Sequence, residues 1–159
     1  MFGFSFMTFK NEKLLKPLNF LNLILNFNME EYILLFIHSN DRVSISEIQK
    51  CFKLDYFLTA TILDGLLKKY FITIEGDGIY SLSGDEDTTK IILRLKEVLL
   101  KNEEEIFINI MNLKSLERQI EIFRFLDNVL STFFDESHSS LYLKYKNHLK
   151  TRIKREFSL

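Results

Sequence analysis

The side chains able to do catalytic or metal chemistry are few in this chain, and their spacing argues against both. Its histidines are His38, His138 and His148, and its one cysteine is Cys51. Zinc sites assemble several Cys or His ligands at short, fixed spacings. Here His138 and His148 lie near Asp135 and Glu136 with a ten-residue gap and no thiolate beside them, and His38 ends an apolar run, where it reads as a capping or packing residue. The glycines Gly3, Gly65, Gly76, Gly78 and Gly84 form neither a phosphate-cradling loop nor a dinucleotide fingerprint, and no nucleophile elbow is present. Cys51 sits between Lys50 and Phe52. A nearby lysine lowers a thiol pKa, whereas a small buried thiol is inert, and both readings stand at this point. A single cysteine excludes a disulfide framework and fits a reducing cytoplasm. No enzyme activity, metal or cofactor is expected.

A second chemistry, recognition, has a better claim. Tyr56, Phe57, Ala60 and Thr61 fall on one face of a predicted helix, with Lys68 and Lys69 in its last turn and Lys50 and Lys53 just before it. They form a candidate recognition surface. The elements that hold them are read from residues 43–83. Ser44 and Glu47 have the spacing of a capping box, in which each side chain satisfies the other's free backbone donor. A helix therefore starts near Ile45 and turns Ile48 and Phe52 to the core. Lys53, Leu54 and Asp55 make a turn, and Asp55 caps a second helix running to about Tyr70. Its predicted buried stripe is Leu58, Ile62, Leu63 and Leu66. Thr59 stands where an aliphatic is usual, with a hydroxyl able to bond back to the preceding turn. Gly65 lies in the helix interior, where glycine costs about 1 kcal/mol relative to alanine. Two β-prone runs, residues 71–74 and 79–82, flank Glu75-Gly76-Asp77-Gly78, whose Asp-Gly step suits a hairpin turn.

The order SISEIQKCFKLD, YFLTATILDGLLKKYFI, TIEGDGIYSLS resembles the winged helix-turn-helix of MarR-type and PadR-type regulators. The likeness is one of pattern and spans about a third of the chain. It implies a mainly α fold with a small β-hairpin, the winged lobe being flanked by N- and C-terminal helices. It also implies a homodimer that binds double-stranded DNA, the second motif helix entering the major groove and the hairpin at Glu75 to Gly78 reaching the flanking backbone, with Tyr56, Phe57, Ala60, Thr61 and Lys68 as the implied contacts and Lys50, Lys53 and Lys69 beside them.

Charge departs from that pattern. Between Arg42 and Gly84, Arg42, Lys50, Lys53, Lys68 and Lys69 are balanced by Glu47, Asp55, Asp64, Glu75 and Asp77. The hairpin tip offers Glu75 and Asp77, which repel phosphate, and nucleic-acid binding ordinarily rests on a basic footprint. The aromatic, nearly uncharged face therefore also suits a protein partner, and a protein-interaction module is the alternative reading.

Around the motif, residues 1–28 form an N-terminal arm, 29–84 the winged-helix domain and 85–159 a C-terminal helical region for dimerisation or packing. Residues 14–27 read as a helix with Pro17 tolerated in its first turn. Residues 29–38 read as the most fully buried helix. Helices are expected at about 88–113, 115–134 and 139–157, burying Ile92, Leu95, Leu99 and Phe107 from the first and Leu116, Ile120, Phe123, Leu126 and Leu130 from the second. Their apolar faces call for a second subunit or for an intramolecular bundle. The last helix is a basic tail, Lys144, Lys146, Lys150, Arg152, Lys154 and Arg155 against Glu156; it suits phosphates or completes an acidic neighbour such as Glu103, Glu104 and Glu105. With 47% hydrophobic and 27% charged residues and a net charge of -1, the chain is compact and cytoplasmic rather than disordered. No apolar run reaches the ~20 residues of a membrane span. Phe2, Phe4, Phe6 and Phe9 are expected to pack on the body or on a partner.

Overall fold

A computed structural model describes residues 17–136 and 140–157. Phe2, Phe4, Phe6, Phe9, Leu15 and His138, and the side chain of Leu130, lie outside what it describes. The elements are α1 (Pro17–Leu25), α2 (Met29–Asn40), β1 (Val43–Ser44), α3 (Ile45–Phe52), α4 (Tyr56–Lys68), β2 (Ile72–Ile74), β3 (Ile79–Leu82), α5 (Glu86–Lys101), α6 (Glu103–Met111), α7 (Leu116–Glu136) and α8 (Ser140–Phe157). The protein is mainly helical with one small antiparallel sheet, ordered β1-β3-β2. In the sheet Ile72 faces Leu82 and Ile74 faces Tyr80 across β2 and β3, while Val43 pairs with Tyr80 across β1 and β3.

Local chemistry starts the helices where the sequence places them. The Ser44–Glu47 box forms, with the Glu47 amide donating to Ser44 Oγ at 3.2 Å and the Ser44 amide to Glu47 Oε1 at 2.9 Å. Asp55 Oδ1 accepts the Leu58 amide at 2.7 Å, so it caps α4 and is not in mid-helix. An unanticipated second box, Asn28 with Glu31, starts α2. Pro17 is the first residue of α1, where its missing amide proton costs no hydrogen bond. The hairpin turns at Gly78, whose φ of +81° strains any other residue.

Burial centres on α2. Tyr32, Ile33, Leu34, Leu35, Phe36 and Ile37 are all buried in sequence, so every side of this helix is covered. It packs on β3, α5 and, most extensively, α7. Phe36 meets Phe52 edge-on at 5.7 Å, and Phe52 meets Phe125 in the same way at 5.6 Å, linking α2 to α3 and α3 to α7. A second aromatic group gathers on Phe107 of α6, within 6 Å of Phe123, Tyr142 and Tyr145. At the end of α2, Ser39 Oγ donates to the Val129 carbonyl at 2.5 Å and Asn40 Nδ2 to that of Asn128 at 2.8 Å, which fixes the helix against α7. The buried apolar residues form one cluster running from Leu18 to Leu149. The faces of α5, α6 and α7 thus close within the chain: Ile92, Leu95, Leu99, Phe107, Leu116, Phe123 and Leu126 are buried and Ile120 half-buried.

The structure departs from the expected elements at three places. Residues 88–113 are two helices, because Asn102 folds its side chain onto the Val98 carbonyl at 2.8 Å and ends α5. In α4 the buried face is Thr59, Leu63 and Leu66, with Ile62 half-buried and Leu58 exposed. Thr59 can be buried because its hydroxyl donates to the Asp55 carbonyl at 2.7 Å. Strand β1 is a further element, too short to leave a periodic signal.

No described helix is long and apolar enough to cross a membrane. The pair α1 and α2 reaches that length and apolarity only together, bent by 109°. Gly65 faces open contact: a Cβ there meets only Glu30 Oε2, at an ordinary 3.7 Å. Gly65→Ala is therefore expected to stabilise the fold by about 1 kcal/mol, raising the thermal midpoint by about 2–4 °C. A lower midpoint in a circular-dichroism melt would show that the backbone needs glycine there.

Candidate nucleic-acid interface

Helix α4 is held from behind and open in front. The turn before it is made by Lys53 in the left-handed region (φ 56°), whose amide donates to the Gln49 carbonyl, as does that of Leu54 at 3.2 Å. At its far end Tyr70 takes a second left-handed conformation (φ 63°), and the Phe71 amide closes back on the Leu66 carbonyl at 3.1 Å. Between these stops, α4 rests on α3 and β2. Its front presents Tyr56 (64% exposed), Phe57 (80%), Leu58, Thr61 and Asp64, with Ala60 and Gly65 half-buried at the margin. The four proposed reading residues thus share the open side, and Leu58 joins them. Tyr70 and Ile74 extend the apolar surface towards the hairpin. Tyr80 on β3 lies near enough to Tyr56 and Asp64 that burial and those two groups hold its hydroxyl pKa above the usual tyrosine value.

The cations are less available than their positions in sequence imply. Lys68 pairs with Asp64 one turn earlier at 3.0 Å, and Lys69 reaches both carboxylate oxygens of Glu30 at 3.1 Å. Arg42 pairs with Glu75 at 2.5 Å, so the acidic hairpin residue is neutralised by the residue before β1. The Lys69 and Arg42 contacts join residues 39 and 33 positions apart, and no local pattern signals them. Lys50 and Lys53 instead line a groove of about 510 Å³ between α3 and α7, with Arg124 beside Glu117 and Glu121 and with Phe125 among its apolar residues.

The basic tail is divided between anchoring and exposure. On α8, Lys146 lies 3.8 Å from Asp127 and over the Tyr142 ring, and Lys144 over that of Tyr145. Arg152 donates to Gln119 Oε1 at 2.9 Å and to Glu156 at 3.2 Å; Gln119 in turn donates to the Met111 and Leu113 carbonyls. Arg152 is thus a structural tie between α8 and the α6–α7 connection. Lys150, Lys154 and Arg155 are exposed, as is His148. Helix α8 is positioned by α6 and α7, and α4 by α3 and β2, so the basic tail and α4 have separate supports.

Among the described residues, no three His, Cys, Asp or Glu side chains converge as a metal site. His38 lies half-buried in the last turn of α2. Cys51 opens onto the α3–α7 groove, yet burial pushes its thiol up to about 12. A raised thiol pKa keeps the group protonated at neutral pH, which favours the inert reading over the reactive one. Compared with protein-family models, curated proteins and solved structures, the chain gives no match.

The Cys51 shift has a signed consequence. A thiol ionises near 9 when unfolded and near 12 when folded, so between those values the folded state binds the extra proton. Stability is therefore whole below pH 9 and is lost as pH rises, by at most about 1.4 kcal/mol per pH unit from this group. Urea titrations from pH 8 to 11 should show a shallower decline for Cys51→Ala than for the natural protein. Parallel declines would contradict the assignment.

Proposed function

We propose that this protein is a winged-helix transcriptional regulator of the cytoplasm that binds double-stranded DNA as a homodimer. The observation that carries the reading is the open front of α4 beside the β2–β3 hairpin, on a lobe whose order is helix, strand, helix, helix, strand, strand. A 13-residue helix is about 20 Å long, and a major groove about 12 Å wide admits it. Lys50 and Lys53 stand on and just after α3, where a helix-turn-helix crosses the phosphate backbone. The ion pairs at Lys68, Lys69 and Arg42 are more than half exposed on the cation side. Such pairs are worth about 0–1 kcal/mol, so phosphates compete with their carboxylates. Leu93, Leu100 and Ile108 stand exposed on α5 and α6 and supply apolar surface for a second subunit.

A second reading, a protein-interaction module, is favoured by one observation. Tyr56, Phe57, Leu58, Tyr70 and Ile74 are all exposed around α4, and aromatic anchors of this kind dominate protein interfaces.

Fluorescence anisotropy with a random duplex at two salt concentrations separates the readings. The regulator reading expects micromolar or tighter binding at low salt, weakening as salt rises. In Lys50→Glu/Lys53→Glu the log-log salt slope should fall by about 2. Absence of binding at micromolar protein in low salt would contradict it and leave the interaction reading.

A further inference from the structure

We infer that α4 reads the C5-methyl groups of thymine, so that the DNA this protein prefers is A·T-rich and is distinguished from its uracil-containing equivalent. The inference rests on the DNA-binding reading above and adds a substrate class to it. Base edges in the major groove are read by Arg or Lys on guanine, Asn or Gln on adenine, Asp or Glu on cytosine, Ser or Thr hydroxyls with little preference, and apolar contact on the thymine methyl. The front of α4 holds no Arg, Asn or Gln. Its one lysine, Lys68, lies at the far end, about three turns from Tyr56, and is bound to Asp64 at 3.0 Å. Asp64, the one carboxylate on that face, is the partner of this lysine in an exposed pair.

What remains is apolar. Phe57 is the most exposed large hydrophobic side chain among the described residues, at 80%. Thr61 Oγ1 donates to the Phe57 carbonyl at 2.8 Å, so its one hydroxyl proton is engaged within the helix and its methyl adds to the apolar surface. Ala60 adds a second methyl and Tyr56 a ring. Tyr56 and Phe57 begin the helix, and in helix-turn-helix complexes the residues that reach base edges lie at this end. Apolar contact with the thymine methyl is therefore the base-reading chemistry this face offers in greatest measure.

The probe is a random-sequence duplex pool, enriched over several rounds on the full-length protein and then resynthesised with deoxyuridine in place of thymidine. The enriched pool should be A·T-rich. Each contacted methyl removed should weaken binding about threefold to fourfold, so the uracil pool should bind about ninefold to sixteenfold more weakly if two thymines are read. Phe57→Ala, with an unchanged thermal midpoint, should bring the two pools to within about twofold of each other. Tyr56→Phe should preserve the difference, because it removes only a hydroxyl. Equal binding of both pools, or enrichment of G·C-rich sequence, would overturn the inference while leaving DNA binding intact. Failure to bind either pool at low salt would overturn the regulator reading and this inference with it.

Discussion

The burial of α2 on every side is the constraint from which the rest of this molecule follows. A helix apolar all round is stable only when other elements cover it completely. Here the small sheet supplies part of that cover through β3, and the C-terminal helices supply the remainder through α5 and α7. The Phe36–Phe52–Phe125 series ties α2, α3 and α7 together. The Phe-rich composition thus has a structural use: broad rings span gaps between helices that leucines would leave as cavities. The lobe and the helices after it consequently share a core, and α4 is presented by a rigid base.

The same arrangement sets the electrostatics of the open face. Because α2 runs beneath the end of α4, Glu30 in its first turn meets Lys69, while the neighbouring Glu31 pairs with Arg94 of α5. Because β1 is part of the sheet, Arg42 just before it meets Glu75 at the hairpin. The lobe is therefore neutral in space as well as in sum. Of the cations of this lobe, Arg42, Lys68 and Lys69 are thus paired, and the exposed front of α4 is mainly apolar.

How much of this was legible in the sequence depended on the range of the interaction. Ser44, Glu47, Asp55 and the Asp77-Gly78 step act within a few residues, and the helix starts and the hairpin turn stand where they indicate. The Asn28–Glu31 box has the same spacing and was equally open to reading. Asn102 was not, because Leu99 and Phe107 continue the apolar pattern across the break and only a side-chain bond ends the helix. The phase of α4 shifted for a related reason: once its hydroxyl is satisfied, Thr59 is buried while Leu58 is left in solvent. At the candidate site the residue types and the exposure of Tyr56 and Phe57 were visible as one helical face. Their neutral surroundings were not, since Glu30 and Glu75 arrive through tertiary packing.

Residue-resolved hydrogen exchange in increasing urea tests the shared core most directly. If α2 is covered jointly by the lobe and the C-terminal helices, its central amides exchange only through global unfolding, in the same step as those of α3 and α7. A partly open state in which the amides of α2 exchange while α7 and α8 stay protected would contradict the account.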